Sequence, residues 1–198
     1  DVVLGDWDQD GDLDILYAGS DAGGQIWTNN GLNSGSFSGT YLSETSASNA
    51  ISLGDVDGDG SLDRVEAKNG ANVIHLNGGT QSVSLSTDYD SRDVQFGDLD
   101  GDGDLDLVVA NSGAKNTIWL NDGEANFSLF KEIGQQDSQS QDVALEDLDD
   151  DGDLDIIFAE SGQFNSVFYN HSADETDASL SFSEITLPDT WNSTSIGL

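Results

Sequence analysis

The chain of 198 residues has no cysteine, a single proline, and five lysines and arginines in all. Nor does it hold an apolar run approaching the roughly 20 residues that a bilayer-spanning helix needs. Each scarcity excludes something. Without cysteine there are no disulfides, no thiolate metal sites and no sulfur nucleophile. Five basic residues stand against 39 aspartates and glutamates, a formal charge of −34. No basic surface is available to neutralise phosphates, so nucleic acid is excluded as a partner. An anionic membrane surface is disfavoured for the same reason, and membrane insertion is not expected. No signal-like segment opens the chain, which leaves export undecided. One proline beside 23 glycines argues for tight turns rather than a proline-rich linker. Hydrophobic residues make up 35% of the chain, and 16 of its residues are Phe, Trp or Tyr. That is enough for a folded core despite the charge.

What is present is a repeat. Four acidic stretches align without gaps: 6–14 (DWDQDGDLD), 55–63 (DVDGDGSLD), 98–106 (DLDGDGDLD) and 147–155 (DLDDDGDLD). Their first aspartates lie 49, 43 and 49 residues apart. Each stretch is preceded by a short alternating segment and followed by a β-rich run, such as Leu107 to Ala110 or Ile156 to Ala159. A third element ends on asparagine each time, at Asn29, Asn77, Asn121 and Asn170, and a fourth lies near Phe37, Val83, Phe127 and Phe182. Helical periodicity is absent. Four antiparallel strands in a period of this length predict an all-β protein, a β-propeller built from four-stranded blades. The approximate repeats are 1–48, 49–91, 92–140 and 141–192, in one continuous region. Residues 193–198 open a fifth, so a piece of a larger propeller or repeat array is expected.

The acidic loops carry the chemistry. Aspartate at positions 1, 3, 5 and 9, with glycine at position 6 for the sharp turn, directs alternate carboxylates inward. Such a cage suits a hard cation that takes six to eight oxygens. The expected side-chain ligands are Asp6, Asp8, Asp10 and Asp14; Asp55, Asp57, Asp59 and Asp63; Asp98, Asp100, Asp102 and Asp106; Asp147, Asp149, Asp151 and Asp155. At position 7, Asp12, Ser61, Asp104 and Asp153 are expected to give a backbone carbonyl. Calcium suits an all-carboxylate cage better than magnesium, and zinc or copper would want nitrogen or sulfur. About four calcium ions are therefore expected, one per loop, and a metal-free form weakened by repulsion. Helix–loop–helix calcium hands are rejected. Their bidentate position 12 falls here on Tyr17, Glu66, Val109 and Phe158, within strand-like runs, and Glu66 is read as a coincidence of position.

These residues resemble a known family. Segments 4–14 (LGDWDQDGDLD) and 96–106 (FGDLDGDGDLD) are similar to FG-GAP repeats, also called VCBS-type repeats, of integrin α-chain propellers and bacterial surface proteins. The resemblance covers essentially the whole chain. It implies calcium at the loop aspartates named above and a partial propeller, since such propellers typically have seven blades. Two positions depart from the pattern, Glu146 in place of glycine and Ser61 in place of aspartate, and neither is an expected side-chain ligand. The Gly-Ala-Pro segment of integrins is missing, so integrin-like ligand binding is not implied.

Trp27, His75, Trp119 and Phe168 share one repeat position, and packing between blades is favoured over stacking on sugars. His75 and His171 read as strand or surface residues. No nucleophile motif is present, and paired carboxylates carry no weight in so acidic a chain, so no catalysis is expected. Sequons fall at Asn126, Asn170 and Asn192, candidate glycan sites in a glycosylating source. Variable segments Ser34 to Asn49 and Asp174 to Ser183 read as outer loops. The expectation is a secreted or cell-surface calcium-binding module serving structure, adhesion or ligand binding, its partner a glycan, another protein or further copies of itself. A lectin, an accessory propeller of a secreted enzyme and a subunit of an extracellular polymer are the alternatives.

Overall fold

The computed structural model describes residues 1–19, 24–31, 35–42, 47–171, 180–188 and 193–197. Asn192 and parts of the two variable segments lie outside them. The first blade is a meander of β1 (Val2–Gly5), β2 (Asp14–Tyr17), β3 (Gln25–Asn29) and β4 (Phe37–Tyr41), each antiparallel to the next. The last is a second meander, β12 (Ser140–Glu146), β13 (Asp155–Glu160), β14 (Ser166–Asn170) and β15 (Phe182–Thr186). Between them lie β5 (Ala50–Gly54), β6 (Asp63–Ala67), β7 (Asn69–Leu76), β8 (Gln81–Gly97), β9 (Asp106–Ser112), β10 (Asn116–Leu120) and β11 (Ser128–Ile133).

This middle sheet departs from four separate strands per repeat. The outer strand of the second blade and the inner strand of the third are one continuous strand, β8. Its first part pairs with β7 and its second with β9, with a register shift between Ser91 and Asp93. Two blades thus share one seven-stranded sheet. A change of hydrogen-bonding partner along an unbroken chain has no signature in hydrophobic alternation. Residues 193–197 form no strand, but Ile196 N donates to Asp142 Oδ2 (2.6 Å) beside β12.

The innermost strands β1, β5, the second half of β8 and β12 lie side by side. The blades meet face to face behind them, which explains why the second strands are buried on both sides. β6 is buried along its whole length, and β9 up to its final serine. Apolar residues at the seams supply the core. Val56, Val65 and Ile74 pack on Leu107, Val109 and Trp119 of the third blade. Leu99, Val108 and Ile118 pack on Ile156, Phe158 and Phe168 of the fourth. Full burial of each such side chain contributes roughly 1.5–3 kcal/mol.

The glycine before each loop has a packing role. A methyl group at Gly97 would lie 2.7 Å from Leu145 Cδ1 and 3.0 Å from Leu154 Cδ1, and one at Gly54 would lie 2.5 Å from Leu105 Cδ1. The following blade sits directly on these backbones. At Glu146 no described blade follows, and its side chain is exposed.

Candidate metal centre

Each acidic loop links the first and second strands of a blade at one end of the sheet. Position 6 is glycine at Gly11, Gly60, Gly103 and Gly152, with φ of 92°, 88°, 97° and 98°. This left-handed turn returns the chain so that its amide reaches back to position 1. The Gly amides donate to Asp6, Asp55, Asp98 and Asp147 Oδ2 at 3.1, 2.8, 3.0 and 3.0 Å. Position 5 is held likewise: Asp10, Asp59, Asp102 and Asp151 Oδ1 accept from the position 7 amide at 2.8–3.0 Å. Backbone amides therefore fix the carboxylates before any ion arrives.

The carboxylates converge in all four loops. Ligand atoms lie within 4.8 Å of one another in the sets Asp55–Asp57–Asp63, Asp98–Asp100–Asp106 and Asp147–Asp149–Asp155, and in the set Asp6–Asp8–Asp10. Positions 1 and 3 meet every time. Position 9 joins them in three loops, and position 5 in the first. Asp59, Asp102, Asp151 and Asp14 lie outside those sets, as do the side chains of Asp12, Ser61, Asp104 and Asp153. Neither histidine joins a set; His171 Nε2 meets Ser183 Oγ at 2.8 Å on the surface.

Position 9 has a second role that spacing alone does not reveal. Asp14, Asp63, Asp106 and Asp155 are almost completely buried. One oxygen of each accepts from the position 2 amide (Trp7, Val56, Leu99, Leu148; 2.9–3.0 Å). The other accepts from the amide of the asparagine ending the third strand (Asn29, Asn77, Asn121, Asn170; 2.7–3.0 Å). The aspartate thus clamps the loop to that strand. Two of the asparagines also bind the preceding blade: Asn121 Nδ2 donates to Val56 O (2.8 Å) and Asn170 Nδ2 to Leu99 O (2.7 Å). Their recurrence one strand away was the signal for this role. Asn170, read as a sequon, is fully buried by these bonds and offers no side chain to a glycosylating enzyme, whereas Asn126 is exposed.

Crowding shows in the acidities. Asp8, Asp100 and Asp149 at position 3 are raised above the ordinary carboxylate value, by desolvation first and then by the neighbouring aspartates. Burial raises Asp63 and pushes Asp106 up to about 6, against the amide bonds that favour the charged form. In a metal-free loop these groups hold protons more tightly than usual, and a divalent cation would reverse that balance. The donor set fits such an ion: every converging atom is a carboxylate oxygen. Asp6 Oδ1 is moreover buried with no hydrogen-bond partner.

The fold and loops define a β-propeller-type repeat protein. The FG-GAP-like repeat matches residues 6–66, 55–109 and 98–158, well over half the chain, and the protein belongs to this family. No curated protein matches it significantly in sequence. Among solved structures it is similar to an Agrocybe aegerita lectin described for specific recognition of non-reducing terminal N-acetylglucosamine. The TM-score is 0.56 at 22% identity, over 85% of this chain and 48% of the lectin. It is also similar to BBS1N from two complexes with ARL6DN, with TM-scores of 0.59 and 0.58 at 17% and 16% identity. These matches cover 96% of this chain and 54% and 57% of BBS1N. The chain spans about half the length of these structures, and likeness at this identity speaks to fold alone.

Proposed function

We propose that the chain is a calcium-stabilised propeller module that works by binding rather than catalysis, in a secreted or cell-surface setting. One observation carries this reading. Carboxylates at loop positions 1 and 3 converge four times in the same backbone frame, each time with a third aspartate. Chance acidity does not repeat in register. Asp6, Asp8 and Asp10, and the matching sets at Asp55, Asp98 and Asp147, would hold the ions, with position 7 carbonyls completing the shell. The ions' contribution is charge: they would neutralise the crowded carboxylates and lock the loops, presenting a fixed surface. Glycans or proteins are the partners in view.

The test is calcium stoichiometry by equilibrium dialysis with elemental analysis, on the chain and on Asp98→Asn. The expected count is about four ions for the chain and about three for the variant. A count near zero, or one that Asp98→Asn leaves unchanged, would overturn the reading.

Sugar stacking on Trp119 is not available, since that ring is 2% exposed.

A further inference from the structure

The four acidic loops share a backbone frame, but the first holds its carboxylates differently from the other three. At position 1 of the second, third and fourth loops, both oxygens accept backbone amides. Oδ2 takes the glycine at position 6. Oδ1 accepts from Asp59 N at Asp55 (3.1 Å), from Gly101 N at Asp98 (2.8 Å) and from Asp151 N at Asp147 (3.2 Å). In the first loop Asp6 Oδ2 keeps its bond to Gly11 N, while Oδ1 is buried without a hydrogen-bond partner. Position 9 differs in the opposite sense. Asp63, Asp106 and Asp155 Oδ2 each accept the position 2 amide, and these aspartates join the converging sets. Asp14 Oδ2 accepts two amides, from Trp7 N (2.9 Å) and Asp8 N (3.3 Å), and Asp14 stays outside its set. The exposed Asp10 takes its place.

The first loop is also tied to its neighbour. Gln9 at position 4 donates from Nε2 to Gly60 O (3.2 Å) and Ser61 Oγ (2.9 Å), positions 6 and 7 of the second loop. Gly58 and Gly101 at this position have no side chain to make such a tie. Trp7 at position 2 packs against Leu16, Ile26, Leu42 and Ile51 in the first seam.

We infer that the first loop is a regulatory calcium site, weaker and more readily exchanged than the other three, and that Gln9 couples its occupancy to the second loop. This rests on the calcium-binding reading above. Affinity in an oxygen cage follows the number of charged ligands and how rigidly they are held. Three loops offer a position 1 carboxylate braced on both oxygens and a buried position 9 carboxylate beside it. The first offers a position 1 carboxylate braced on one oxygen only, and its position 9 oxygen is engaged by two amides. Binding there must fix the loose Asp6 Oδ1 and rely on an exposed aspartate, so it is weaker and changes the loop more. The Gln9 tie passes that change to Ser61, whose carbonyl is an expected ligand of the second loop. Coupling of this kind is reciprocal: a filled second loop steadies Gln9 and favours the first.

The test is equilibrium dialysis of the full chain across free calcium, with bound metal counted at each point. Three ions are expected to enter first and the fourth at a free calcium at least about tenfold higher. Asp6→Asn should remove only the late ion, and Asp98→Asn only an early one. Gln9→Asn tolerates the left-handed backbone but is too short to reach the second loop; it should keep the count at four and weaken the late step about threefold. Circular dichroism of the three variants guards against unfolding. Four ions entering in one step, loss of an early ion in Asp6→Asn, or a late step that Gln9→Asn leaves unchanged would overturn the proposal while leaving the calcium reading in place. No bound calcium at all would overturn both.

Discussion

The first seam and the two that follow are built on the same backbone repeat with opposite chemistry. Between the second and third blades, Leu107, Val109 and Trp119 are buried, and between the third and fourth, Ile156, Phe158 and Phe168. At the first seam the equivalent residues are Arg64, Glu66 and His75, all buried, with Lys68 Nζ 3.0 Å from Glu66 Oε2 and Ser48 Oγ donating to that same oxygen. The asparagine bond across the seam changes too: Asn77 Nδ2 donates to Asp57 Oδ2 of its own blade (3.2 Å). The loops are conserved in form from blade to blade, while the seams are free to vary. Loop geometry is set by amides and charge, and a seam needs only to be filled or satisfied. An ionic seam is satisfied by pairing rather than by apolar packing.

The largest effect should come from breaking the ionic seam. Glu66→Ala would leave Arg64 and Lys68 buried without their carboxylate, at a cost of about 4–5 kcal/mol in urea unfolding. The sharper form of the comparison converts the first seam to the third blade's residues. The quadruple variant R64L/E66V/K68N/H75W, which also replaces the buried Lys68 by the third blade's asparagine, should be neutral or more stable than the parent by about 1–3 kcal/mol. Large destabilisation of that variant would mean the two seams are not equivalent frames. Next, Trp119→Ala should cost about 3–4 kcal/mol. The same change at Trp27, 39% exposed, should stay within about 1 kcal/mol.

A third contrast concerns protonation at the inner strands. Asp93 Oδ2 accepts from Val143 N (2.9 Å) across the third seam. Its pKa is raised from the ordinary 3.8 to about 8, through burial first and then the adjoining Asp142. A carboxyl raised in the folded state binds protons that the unfolded chain has released. Its contribution is therefore kept at low pH and lost as pH rises from about 4 past neutrality. Asp93→Asn should flatten this fall in stability, gaining about 1 kcal/mol or more at pH 8, read from melts across pH. A variant with the parent's slope would remove Asp93 as its source. The smallest effect lies at loop position 4. Gly58 and Gly101 adopt φ of 70° and 76°, but Gln9 and Asp150 are held at 61° and 64°. Asp150→Gly should relieve that strain, stabilising by about 0.5–1 kcal/mol in thermal unfolding. The matched change Gly101→Ala should destabilise by a similar amount.

The sequence made the loops and their flanking strands legible because both obey short-range rules: alternate aspartates with a left-handed glycine, and period-two hydrophobicity. It also placed Trp119 and Phe168 in the packing between blades. Less was legible at the seams. Arg64, Glu66, Lys68 and His75 alternate as surface charges would, and only their shared burial reveals one ionic cluster. Glu66 is indeed no loop ligand, yet it is the centre of that cluster. Asp106 and its counterparts serve as clamps as well as candidate ligands because Asn121 and its equivalents lie one strand away, a contact that loop spacing cannot express. Continuity of β8 was hidden because a strand that changes partners keeps its alternation throughout.

The central claim, that the four acidic loops are structural calcium sites, is tested most directly by a thermal melt of the full chain. Calcium is titrated against a chelator, with bound metal counted at each point. The account predicts a rise in melting temperature that saturates as the count reaches about four, since an ion that binds only the folded loops stabilises the fold by mass action. An unchanged melt with no bound metal would contradict it, leaving the loops as amide-braced acidic turns.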